Sequence, residues 1–81
     1  SYGGPVEFGS LLREIRVARG LSMSEFARRA GVVPSVAFAW EHGQTHPSLP
    51  RMLAVVRALR AGQEVGWRLV VAAGDARRAA L

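Results

Sequence analysis

The 81-residue sequence contains neither cysteine nor lysine. Without thiols there is no disulfide framework and no thiolate metal site. Without lysine, all eleven basic side chains are arginine, set against six acids for a net charge of +5. The cationic surface is therefore built from planar guanidinium forks, which suit bidentate phosphate contact. No apolar run has the length of a spanning segment or the layout of a signal peptide, so no membrane partner is expected and a cytoplasmic protein is the default. Catalytic constellations are missing too. There is no Gly-rich phosphate loop ahead of a helix, no carboxylate pair, and no nucleophile with a histidine and an orienting acid. The expectation is a protein that is not an enzyme and holds no cofactor. His42 and His46 fall in a Gly-containing loop rather than on one helix face, so no metal site is expected.

What is present is an apolar share ordinary for one small globular domain. A chain this short is often marginal alone, and dimerisation would help it. Its organising stretch is residues 21–41. Ser22 is a good N-cap, and Glu25 three places later completes a capping box. Phe26, Ala27 and Ala30 recur at helical spacing, and Gly31 supplies a left-handed residue that closes the helix. Pro34 suits the first turn of a following helix whose buried stripe is Val36, Ala37 and Trp40. Two short helices joined by a Gly-containing turn describe a helix-turn-helix, whose second helix usually enters the major groove of DNA.

Around it the pattern predicts two more helices. Residues 6–19 read as the first, with Phe8, Leu11, Leu12 and Ile15 inward, and residues 1–5 read as a frayed, trimmed lead-in. After the loop at residues 42–47, Ser48 caps and Pro50 opens a fourth helix along Leu49, Met52, Leu53, Val56 and Leu59, ending near Gly62. Residues 66–72 are rich in β-branched and aromatic side chains and read as a strand, with an extra helix as the competing reading. A lone strand leaves its backbone groups unpaired, and pairing with its twin in a second copy is the simplest remedy. Trp67, Arg68, Leu69, Val70 and Val71 are then the dimerisation residues. Residues 75–81, with Arg77 and Arg78, read as a mobile basic tail.

Residues 8–59 resemble the lambda-repressor and Cro type of helix-turn-helix domain. The resemblance rests on Leu11-Leu12-Arg13-Glu14-Ile15-Arg16, Gly20-Leu21-Ser22, Phe26-Ala27, Ala30-Gly31-Val32, Trp40-Glu41, Gly43 and Pro47-Ser48-Leu49. It implies an all-α, four-helix DNA-binding domain at residues 6–62, followed at residues 63–81 by a dimerisation strand and tail. It also implies a structural ion pair between Arg16 and Glu41. The strand is similar to that of HipB-like antitoxins, which implies a homodimer and a cognate toxin as a further partner.

In that family the groove-facing positions correspond to Val33, Pro34, Ser35, Phe38 and Ala39. Only Ser35 is polar, whereas base edges are read mainly by hydrogen bonds. Val33, Phe38 and Ala39 are left to pack on thymine methyls. Phosphate contacts are better supplied. Ser22, Met23, Ser24, Gln44, Thr45, His46 and Arg51 flank the groove helix near helix N-termini that favour anions. The implied function is sequence-specific regulation of transcription on double-stranded DNA, as a repressor or as the antitoxin of a toxin–antitoxin operon. The competing function is a protein-interaction module on the same scaffold, for which an apolar groove helix is the argument.

Overall fold

The computed structural model describes residues 7–81, so the expectations for residues 1–6 lie outside it. Five helices follow one another: α1 (Phe8–Ala18), α2 (Met23–Ala30), α3 (Pro34–Glu41), α4 (Leu49–Ala58) and α5 (Gln63–Ala79). The local punctuation explains the middle three. Ser22 is extended at the N-cap of α2, and its Oγ accepts from the Glu25 N–H at 3.1 Å. Gly31 ends α2 at φ 74°, in the left-handed region where a side chain would be strained, and Val32 N–H then closes onto the Ala27 carbonyl at 3.0 Å. Pro34 starts α3 where its missing N–H costs no intrahelical bond. Ser48 sits at the N-cap of α4 without a side-chain cap bond.

Helix α2 packs on both α3 and α4, while α1 joins α3 to α5 and α5 closes against α1 and α4. The core they share holds Phe8, Leu12, Phe26, Trp40, Met52, Val55, Leu59 and Leu69, with small residues such as Ala27 and Ala37 letting the helices approach. Fully burying one of the larger of these side chains contributes about 1.5–3 kcal/mol. α1 meets the end of α3 more closely than any side chain would permit. A Cβ on Gly9 would lie 2.3 Å from the Glu41 carbonyl oxygen.

Two expectations are corrected. Residues 66–72 are not a strand, and no strand occurs among the described residues. They form the middle of α5, whose buried residues Gly66, Leu69, Ala72 and Ala73 follow helical spacing. Alanines at 72, 73, 76, 79 and 80 carry that period and its strong propensity beyond the apolar run. A helix bonds its own backbone groups, so the need for a partner strand disappears. Gly66 is the point where α5 comes close to α4, 3.2 Å from a Val56 methyl for an added Cβ. Residues 75–79, expected as tail, continue the helix, and Arg77 Nη1 donates to the Pro47 carbonyl at 2.6 Å.

The second correction is one of phase. α4 buries Met52, Val55, Ala58 and Leu59 and leaves Leu49 and Leu53 exposed. In α3, Val36 likewise faces outward while Ala37 and Trp40 face in.

Candidate nucleic-acid interface

α3 is apolar almost all round but buries only Ala37 and Trp40, so its outer face displays what a core would normally hide. Val33 is 59% exposed and Phe38 47%, with Pro34 and Ser35 also open to solvent and Ala39 half-buried. Of the five residues expected to face a groove, four therefore lie on the open surface. α3 is held in place from behind. Glu41 is nearly buried and accepts from Arg16 Nε at 2.5 Å and from Arg16 Nη2 at 3.2 Å. Arg16 Nη1 also donates to the Leu21 carbonyl at 2.8 Å, so one guanidinium ties α1 to the end of α3 and to the start of the helix-turn-helix.

The flanking positions separate into groups. Ser22 and Ser24 are exposed at the start of α2, but the Met23 side chain packs against the core, leaving only its backbone for an outside partner. Gln44 and Thr45 are exposed in side chain, while their N–H groups are both directed to the Ala39 carbonyl, at 3.0 and 3.4 Å. Arg51 is exposed on the first turn of α4 and makes no side-chain hydrogen bond among the described residues. Val33, His46 and Arg51 share one hollow of about 480 Å³ between the start of α3 and the start of α4. His46 is half-buried, and its Nδ1 is buried without a partner among the described residues.

Charge is distributed unevenly. The Glu25 carboxylate does not return to the Ser22 N–H in the manner of a full capping box. It accepts instead from Arg28 and, at 3.1 Å, from Arg29 Nε. Hydrogen bonds from Arg28 and then Arg29 hold its carboxyl below the usual carboxylate range, and Glu25 raises Arg28 in return. Those two arginines are thus partly neutralised on α2, whereas Arg51, beside the α3 hollow, makes no ion pair among the described residues.

Of the residues expected to pair two copies, Trp67, Arg68 and Val71 are exposed on α5 and Val70 is half-buried. Leu69 is fully buried within its own chain and is not available for an interface. Three contacts escaped the sequence pattern: the Arg77–Pro47 bond, a 3.0 Å bond from Arg19 Nε to the Leu59 carbonyl, and a stack of His42 on Phe38. The last had a signal, because a residue four places after an outward-facing one lies on the same helix face. Among the described residues there is no cluster of three or more metal-ligating side chains and no helix long and apolar enough to cross a membrane.

The sequence matches the family model for helix-turn-helix proteins over residues 12–61. Two solved structures are similar to it. One is the restriction-modification controller protein C.AhdI from Aeromonas hydrophila, at 35% identity and TM-score 0.70, covering 80% of this chain and 98% of that one. The other is the clp gene regulator ClgR from C. glutamicum, at 31% identity and TM-score 0.68, covering 84% of this chain and 86% of that one. No curated protein matches significantly.

Proposed function

The chain belongs to the helix-turn-helix family of the lambda-repressor and Cro type, and from that premise we propose that it is a homodimeric repressor reading a two-fold operator. Regulation of transcription through DNA binding is supported by the family match and by both neighbours. Such a protein binds rather than transforms its partner and works in the cytoplasm, beside the chromosome. The finer assignment rests on one observation, the solvent-facing outer side of α3 with Val33, Pro34, Ser35 and Phe38 displayed together. Two copies would insert these helices into successive major grooves about one turn apart. Ser35 supplies a hydrogen bond to a base edge, and the apolar neighbours contact thymine methyls. Ser22, Ser24, Gln44, Thr45 and Arg51 grip phosphates on either side, which sets register and orientation rather than sequence.

The two-fold contact belongs on the α4–α5 face. Leu53 is 61% and Trp67 67% exposed there, beside an apolar groove of about 630 Å³ that Val56 and Val70 also line. Covering large apolar side chains of this kind is the ordinary driving force for association. With the strand gone, the antitoxin role and its toxin partner lose the feature that implied them.

The test is a mobility-shift series with duplexes selected from a random pool and with unselected duplexes, at two salt concentrations. A steep salt slope together with sequence preference supports the repressor. Arg51→Ala should weaken every sequence and flatten the slope. The exposed Phe38 and Val33 also favour a second reading, a protein-docking module, and absence of any binding at low salt would put it ahead.

A further inference from the structure

The outer face of α3 carries a contact that the operator-reading scheme leaves unused. The rings of Phe38 and His42 are stacked, with centroids 3.8 Å apart and planes 18° apart. His42 Nδ1 lies 2.9 Å from the Phe38 carbonyl oxygen. A carbonyl only accepts, so Nδ1 carries the hydrogen and donates it. The neutral ring is thereby fixed in one tautomer, with an Nε2 that holds a lone pair and can only accept. His42 is exposed at the C-cap of α3, on the face shared by Ser35 and Phe38.

The eight residues of α3 span about 12 Å, close to the roughly 12 Å width of a major groove. With the first turn at base edges, the far end comes up to the phosphates that border the groove. A neutral His42 would face those oxygens acceptor to acceptor. Protonated, it keeps Nδ1–H on the Phe38 carbonyl and turns Nε2–H toward phosphate. The cation then lies against an aromatic face and at a helix C-terminus, both of which favour positive charge.

We infer that His42 is a proton-coupled phosphate contact: binding of duplex DNA draws one proton from solvent onto Nε2, while Phe38 holds the ring in place. The inference rests on the DNA-binding reading. The Nε2–H bond forms as hydronium or a buffer acid gives up that proton, and no other covalent bond changes. Linkage fixes the sign: a group protonated in the complex adds affinity as pH falls. The titratable groups lining the same hollow as His42 are Glu7 on the α1 side, Glu41 beside it, His46 in the loop and Asp75 on α5. Arg16 holds Glu41 and Arg78 holds Asp75, which leaves Glu7 and His46 as the groups to be separated from His42.

The experiment measures affinity of the full chain for a selected duplex at constant ionic strength across the pH range of about 5 to 8 in which histidines titrate. The association constant should rise with acid, approaching tenfold per pH unit at its steepest, the limit of about one proton. Calorimetry in two buffers of different ionisation enthalpy should then count that proton directly. His42→Gln should abolish the rise, and His46→Gln and Glu7→Gln should each keep it whatever their effect on affinity. Phe38→Leu, which alters an exposed ring, should blunt it, with circular dichroism confirming the fold of each variant. A rise that persists in His42→Gln would overturn the inference. So would affinity that falls with acid, which would mean that Nε2 accepts from a base amine. No DNA binding by the parent at any pH would instead overturn the DNA-binding reading beneath it.

Discussion

The two sides of α3 obey opposite constraints within eight residues. On the inner side, Ala37 and Trp40 are buried, the Glu41 backbone receives Gly9 at a distance no side chain tolerates, and the Glu41 carboxylate is held by Arg16. On the outer side, Val33, Ser35 and Phe38 are open to solvent. The inner contacts decide where the helix lies, and the outer residues decide what it meets. Such a division lets one scaffold carry many recognition surfaces, because outward substitutions leave the packing behind them untouched.

That contrast is open to attack at several points. Gly9→Ala should have the largest effect. Its methyl would strike backbone that no rotamer change can move, at a cost of several kcal/mol, at or beyond the about 1–3 kcal/mol typical of overpacking. Thermal melting should show a collapsed or absent transition; a normal one would mean α1 is free to slide. Glu41→Gln comes next, since it leaves the half-buried Arg16 guanidinium without its counter-charge. Urea unfolding should show a loss of up to about 3 kcal/mol, and an unchanged midpoint would demote the pair to ornament.

Ser22→Ala removes the N-cap side-chain bond of α2 and should cost about 1 kcal/mol. Ser35→Ala, on the outer side, should stay within about 0.5 kcal/mol of the parent while relaxing choice at one base position. A destabilisation matching that of Glu41→Gln would erase the distinction between the two sides.

The smallest effect concerns acid. Arg28 and Arg29 lower the Glu25 carboxyl in the folded chain. Its contribution is therefore present at neutral pH and is lost as pH falls through the lowered folded-state value. The stability difference between the parent and Glu25→Gln should shrink over that acid range and in high salt, since the pair is solvent-exposed. A difference that survives both would point to something other than charge.

The helix-turn-helix was legible because its punctuation is local. Ser22, Gly31 and Pro34 act on their own backbone, so their meaning does not depend on distant contacts. α5 was misread because residues 66–72 form an apolar run too short for periodicity to separate strand from helix. The signal for a helix lay in the alanines that follow, and the structure adds the close approach of Gly66 to Val56. In α4 the large leucines suggested the inward face, yet the buried face is set by Met52, Val55 and Ala58, and Leu49 and Leu53 are left outside. Gly9 gave no sign at all, because a glycine within a helix shows its purpose only against the chain it touches. At the outer face of α3 four of the five positions that the resemblance named are exposed, but the Phe38–His42 stack needed the rings in space.

The bond from Arg77 to the Pro47 carbonyl has a practical consequence. It works as a strut running from the closing helix to the loop between α3 and α4. Transplanting residues 7–62 onto a foreign pairing module would cut that strut and also strip Leu69, Ala72 and Ala73 from the core, so the graft would need its new partner to replace both the packing and the brace.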